Sequence, residues 1–143
     1  MAAITGKKIL RIIDANANRA KEGLRVVEDI SRFVMSDKKI SASLKKIRHA
    51  VTTSVNIIFP DYSALLSSRD SEKDVLRGSK NKTEFTRTGI PHVFISNLKR
   101  AQESLRVLEE TSKLINPRQA SAFKEMRYTL YTLEKKIILS LDK

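Results

Sequence analysis

Cysteine is absent from this chain of 143 residues, which excludes a disulfide framework, a thiol nucleophile and any zinc site built on thiolates. No stretch approaches the roughly 20 apolar residues that a membrane span needs. The opening MAAITGKKILRIIDANANRA lacks the unbroken apolar core of a signal peptide. These absences lead to the expectation of a soluble cytoplasmic protein with no membrane partner. Aromatic residues make up only 6% of the chain, and no basic stretch is interleaved with them as a base-stacking surface requires. The two histidines, His49 and His92, have no metal-ligand spacing, so surface or structural roles are expected of them. Neither Gly6-Lys7-Lys8 nor Gly78-Ser79-Lys80 completes the Gly-x-x-x-x-Gly-Lys-Ser/Thr phosphate loop. Any use of ATP must therefore proceed without that loop.

What the chain has in excess is positive charge. Lysine and arginine total 28 against 16 aspartates and glutamates, a formal charge of +12, which suits anionic partners or serves solubility alone. With so few aromatics, small phosphorylated molecules are favoured over nucleic acid.

The chain also repeats itself. NRAKEGLRVVEDISRFV, beginning at Asn18, returns as KRAQESLRVLEETSKLI, beginning at Lys99. Ile13, Ala17, Ala20, Leu24, Val27, Ser31 and Val34 recur at spacings of three and four, the period of one helical stripe. A shift of 81 turns them into Phe94, Leu98, Ala101, Leu105, Leu108, Ser112 and Ile115. The polar positions match as well: Asn16, Arg19, Glu22, Arg25 and Glu28 return as Asn97, Arg100, Glu103, Arg106 and Glu109. Chance likeness between two amphipathic helices does not require that, and internal duplication does.

A second helix follows in each copy. Leu44, Ile47, Val51 and Ile58 answer Phe123, Met126, Leu130 and Ile137 at a shift of 79. Ser36 or Asp37 can cap the second helix, and Pro117 suits the first position of the last one. Each copy is thus a helical hairpin with one apolar face, and the two faces bury each other. The expected fold is a single all-α domain over 1–143, a four-helix bundle-like arrangement with an internal pseudo-two-fold. Its parts are a hairpin over about 9–58, a long connection over about 59–92 and a second hairpin over about 93–141. Within the connection, SEKDVLR is expected to form a short helix capped by Ser71, with Asp74 at the capping-box position.

The repeated charges allow two readings. Arg19 to Glu22, Glu22 to Arg25 and Arg25 to Glu28 can form a surface ladder whose pairs are each worth about 0.2–0.5 kcal/mol. Alternatively, Asn16 and Glu28 mark where the helix leaves the core, while Arg19 or Arg25 reaches an anion held between the copies. Asp70 and Asp74 likewise either hold Mg²⁺, with Arg69 meeting a phosphate, or simply favour a helix N-terminus.

RIIDANANRAKEGLRVVEDISRFV, LKKIRHAV, SSRDSEKDV, NLKRAQESLRVLEETSK and MRYTLYTLEKK stand in this order along nearly the whole chain. In these motifs it resembles the helical hydroxymethylpyrimidine-phosphate kinases of thiamin biosynthesis, a domain often fused N-terminally to thiamin-phosphate synthase. The resemblance implies transfer of the ATP γ-phosphoryl group to 4-amino-5-hydroxymethyl-2-methylpyrimidine phosphate, with Mg²⁺, and an association with thiamin-phosphate synthase. An acceptor phosphate is already anionic, so such chemistry asks for positioning and charge neutralisation rather than a strong base. On that footing Arg69, Asp70 and Asp74 are the catalytic candidates, the two aspartates doubling as metal ligands. Asn16, Arg19, Glu22, Arg25, Arg48, Asn97, Arg100, Glu103, Arg106 and Arg127 are the substrate-binding candidates. The competing readings are a non-catalytic basic module for nucleic acid, which the scarcity of aromatics disfavours, and a regulatory domain of a thiamin enzyme.

Overall fold

The structure, a computed structural model, describes residues 2–79 and 86–141, with side chains from residue 6 onward. Its elements are α1 (Ala2–Asp29), a π-helical turn (Ile30–Val34), α2 (Lys38–Ile58), α3 (Tyr62–Ser68), α4 (Ile90–Ser112) and α5 (Pro117–Leu141). Among the described residues there is no strand, so the expected all-α class holds. Among the described residues no helix is long and apolar enough to cross a membrane.

Both hairpin turns follow from local chemistry. After α1 the ladder widens: the Met35 N–H donates to the Ile30 carbonyl at 3.0 Å and the Asp37 N–H to the Ser31 carbonyl at 3.0 Å. Ser36 then takes a left-handed conformation, φ 52°. Of the two caps expected for α2, Asp37 is the one used, its carboxylate accepting from the Ile40 N–H at 2.9 Å. Pro117 opens α5 as expected, and the Asn116 side chain accepts from the Gln119 N–H at 3.3 Å.

The helical stripes are buried from Ile13 to Ser31 and from Phe94 to Ser112, together with Leu44, Ile47, Val51, Ile58, Phe123, Met126, Leu130 and Ile137. Val34 and Ile115, expected to end each stripe, are instead 58% and 43% exposed. The 3.6-residue period stops before reaching them, at the π-helical turn in one copy and at the three-residue turns from Leu114 to Thr111 and Ile115 to Ser112 in the other. α1 packs most extensively against α4, α2 lies on α1, α5 lies on α4, and α2 meets α5. The two hairpins therefore cover each other's apolar faces, and each fully buried Leu, Ile or Phe contributes about 1.5–3 kcal/mol of transfer free energy.

Gly23 sets how closely α1 and α4 approach. A Cβ there would stand 2.7 Å from the Asn97 carbonyl oxygen and 3.4 Å from the Ala101 nitrogen, both backbone atoms of α4. Alanine is the better helix former by about 1 kcal/mol, yet Gly23→Ala must push two helices apart. The expected result is a net loss of about 1–3 kcal/mol, read as a lower urea midpoint. A rise in the midpoint would show that the helices separate freely.

The connection departs from expectation. Its regular helix is α3, capped by Asp61, whose carboxylate accepts from the Ser63 N–H at 3.0 Å. α3 packs on α1. SEKDVLR forms no helix; residues 71–79 run as bends and turns, and Ser71 caps nothing. The Asp70 carboxylate accepts from the Lys73 N–H at 3.2 Å and that of Asp74 from the Leu76 N–H at 3.0 Å. Short polar side chains that bond their own backbone in this way compete with helix formation. Residues 80–85 of the expected connection lie outside the described residues.

Candidate functional site

Much of the repeated polar text acts within each hairpin. The Asn16 side-chain amide donates to the Ile12 carbonyl at 2.9 Å, and that of Asn97 to the Val93 carbonyl at 2.8 Å. Glu28, buried, accepts from Arg48 Nε at 3.1 Å. Its counterpart Glu109, also buried, accepts from Arg127 Nη2 at 3.1 Å. Both pairs link the two helices of one hairpin at equivalent positions. Arg25 adds contacts to Glu28 and Asp29, and Arg106 to Glu109 and Glu110. These are the ladder rungs that form; no pairing of Arg19 with Glu22, Glu22 with Arg25, Arg100 with Glu103 or Glu103 with Arg106 occurs among the ion pairs of the described residues.

Arg19 instead stands at a cavity of about 690 Å³ between α1 and the segment after α3. α1 contributes Lys8, Arg11, Asp14, Asn16, Asn18 and Arg19, and the connection contributes Arg69, Asp70, Ser71 and Asp74. The spacing from Lys8 through Arg11 and Asp14 to Asn18 keeps these residues on one helical face. Asp14, 5% exposed, receives Arg69 side-on: Nε donates to Oδ2 at 2.7 Å and Nη2 to Oδ1 at 2.8 Å. These hydrogen bonds hold the Arg69 pKa above its ordinary value against partial desolvation, with Tyr62 adding a smaller contribution in the same direction. Asn18 donates to the same carboxylate at 3.4 Å. Arg11 makes one long contact, to the Asp70 carbonyl at 3.4 Å.

Three cations of this cavity, like the exposed Arg100 that repeats Arg19, lack among the described residues the carboxylate partners that the remaining repeated arginines have. Among the described residues Lys8, Arg11 and Arg19 form no ion pair with a carboxylate, whereas Arg25, Arg48, Arg106 and Arg127 all do. With Asp14 committed to Arg69, the lining residues that remain charged without an ion pair to the described residues are Lys8, Arg11, Arg19, Asp70 and Asp74. Among the described residues no group of three or more histidines, aspartates or glutamates could hold a metal. Asp70 and Asp74 are the residues of this cavity that could offer Mg²⁺ the one or two protein carboxylates it takes beside phosphate oxygens and water.

A second cavity of about 460 Å³ lies between α4 and α5, lined by Lys99, Gln102, Glu103, Arg106, Arg127 and Tyr131. Carboxylates have already claimed its cations. Lys99 pairs with Glu134 at 2.7 Å, Arg106 with Glu109 and Glu110, and Arg127 with Glu109. The Tyr131 hydroxyl, followed by the Glu109 carboxylate, keeps Arg127 protonated above its ordinary range despite burial. Burial alone would raise the Glu134 pKa, but the hydrogen bonds from Lys99 and Gln102 outweigh it and hold that carboxyl below its usual range.

Of the sequence-predicted site residues, Asn16, Arg19, Arg69, Asp70 and Asp74 come together at the first cavity, and Glu103, Arg106 and Arg127 at the second. Glu22, Arg25, Arg48, Asn97 and Arg100 line neither. Lys8, Arg11, Asp14 and Asn18 escaped sequence reasoning. A signal for Asp14 was present: it stands where the second copy has Ile95.

With this geometry in view, the sequence can be set against known proteins. The pattern of the ThiD2 family matches residues 11–136. The chain belongs to that family. The matched span includes both copies of the repeated motif on which the resemblance rests. The chain is similar to proteins named thiamine-phosphate synthase. With that of Synechocystis sp. it shares 36% identity over 130 residues, 91% of this chain and 36% of that protein. With that of Gloeobacter violaceus the figure is 39% over 134 residues, 94% of this chain and 38% of the relative. With that of Rhodopirellula baltica it is 33% over 141 residues, 99% and 37%. The chain thus spans little more than a third of the length of these relatives. No solved structure shows a significant match.

Proposed function

We propose that this domain transfers the γ-phosphoryl group of ATP to the phosphate of 4-amino-5-hydroxymethyl-2-methylpyrimidine phosphate, forming the diphosphate. The observation that carries the reading is the first cavity, where Lys8, Arg11 and Arg19, free of carboxylate partners, meet the clamped Arg69 and the pair Asp70 and Asp74. Membership of the ThiD2 family and likeness to thiamine-phosphate synthases support a part in thiamin biosynthesis.

Both reactants are polyanions, and the acceptor oxygen carries negative charge near neutral pH, so no strong general base is required. The protein's task is to hold the two phosphates in line against their mutual repulsion. Arg19 and Arg69 offer planar forks to phosphate oxygens, and Lys8 and Arg11 add charge along the same wall. Asp70 and Asp74 would hold Mg²⁺, which supplies further neutralisation of the transferred group when bound. The greater length of the relatives supports thiamin-phosphate synthase as the partner, which would take up the diphosphate.

The test follows label from γ-labelled ATP into the pyrimidine diphosphate, with and without Mg²⁺. Asp70→Asn and Asp74→Asn are each expected to lower turnover by about tenfold or more at limiting Mg²⁺. Their melting midpoints should stay close to that of the parent, because both residues lie outside the core. Full activity in both variants would remove these carboxylates from the site.

A further inference from the structure

We propose that Asp14 is a positioning residue that makes the first copy of the repeat the single phosphate-binding site of the chain, and that Ile95, its counterpart, leaves the second copy without one. The inference rests on the cavity reading above and extends it to a division of labour between the copies.

Three observations carry it. Asp14 is a buried carboxylate on the cavity-lining face of α1, and both of its oxygens receive Arg69, a residue 55 positions away on the connecting segment. That side-on grip takes Nε and Nη2 and fixes the plane of the guanidinium at the cavity wall. An arginine so held gives up little rotamer freedom when an anion arrives, which favours binding through preorganisation. Next, the second copy has an apolar side chain at this position, Ile95, 37% exposed, which can accept no hydrogen bond from an arginine. Finally, the connection that supplies Arg69, Asp70 and Asp74 occurs once in the chain and packs on α1 through α3. The cations of the α4–α5 cavity are meanwhile committed to Glu109, Glu110 and Glu134. Duplication preserved the fold in both copies while the anion site developed in one.

The experiment titrates the intact chain with inorganic pyrophosphate, and separately with Mg·ATP, by calorimetry. One equivalent of Mg·ATP is expected to bind, unaffected by Arg106→Lys in the α4–α5 cavity; a second equivalent that Arg106→Lys removes would overturn the division. Asp14→Asn and Arg69→Lys are each expected to weaken pyrophosphate binding at least tenfold, with Asp14→Glu recovering part of the loss. The double variant should be no weaker than the worse single variant, because both changes break the same clamp. A purely structural Asp14 would lower the melting midpoint and leave pyrophosphate affinity in the folded fraction unchanged, and that outcome refutes the positioning role. If Asp14→Asn does not fold, Arg69→Lys at the exposed end of the clamp decides alone: unchanged affinity overturns the proposal. A parent chain that binds neither pyrophosphate nor Mg·ATP would sink the cavity reading, and this inference with it. A parent that binds one equivalent while the variants bind equally well would sink the inference only.

Discussion

Arg127→Ala should destabilise the protein by about 3–5 kcal/mol, the cost of removing one partner from a buried ion pair. Glu109 is 4% exposed and would keep only Arg106, whose side chain is 56% exposed. The carboxylate, otherwise buried, then stays charged with Arg106 as its single compensation or takes up a proton. Arg48→Ala breaks the equivalent pair in the first hairpin and should cost less. The Arg48 side chain is 19% exposed against 11% for Arg127, so water enters more readily. Replacing both members of the second pair, Glu109→Leu with Arg127→Met, should recover much of the loss, since well-packed apolar side chains often equal a buried ion pair. The wild-type pair is itself imperfect, because Arg127 Nε is buried without a partner. Urea denaturation of the four proteins checks the series. A loss under about 1 kcal/mol for Arg127→Ala would give the pair the worth of a surface contact.

Arg19→Lys should weaken binding of Mg·ATP or of the pyrimidine monophosphate about tenfold, equivalent to roughly 1.4 kcal/mol, although formal charge is kept. An ammonium cannot reproduce the planar fork of a guanidinium. Arg100→Lys, at the repeated position, should leave both dissociation constants within twofold of the parent, because Arg100 is exposed and lines neither cavity. Binding titrations of both variants with both ligands make the comparison. Equal losses would mean that the two copies share the work, and no loss in either would remove Arg19 from the site.

The helices were legible because their apolar residues recur at three and four positions without interruption from Ile13 to Ser31 and from Phe94 to Ser112. Legibility ended where the backbone left the α-period, so Val34 and Ile115 were misplaced at the helix ends. The repeated polar residues announced importance without announcing which kind. Glu28 and Glu109 prove to join helices within each hairpin, whereas Arg19 faces a cavity. Repetition by itself pointed to the shared scaffold, and the site lies where the copies differ. Asp14 against Ile95 was visible as such a difference, but its meaning depended on Arg69, and no local periodicity relates residues so far apart in sequence. The turns over residues 71–79 were misread as a helix because Ser71 and Asp74 fit a capping box on paper. In the fold the Asp70 and Asp74 side chains bond the backbone three and two residues ahead, respectively, and both residues still line the same cavity.

A crystal structure of the intact chain with Mg·ADP bound tests the central claim most directly. The expected result is phosphate density in the cavity between α1 and the segment after α3, within hydrogen-bond reach of Arg19 and Arg69, with Asp14 still gripping Arg69. Phosphate density in the α4–α5 cavity instead, against Arg106 and Arg127, would contradict the assignment of the site to the first copy.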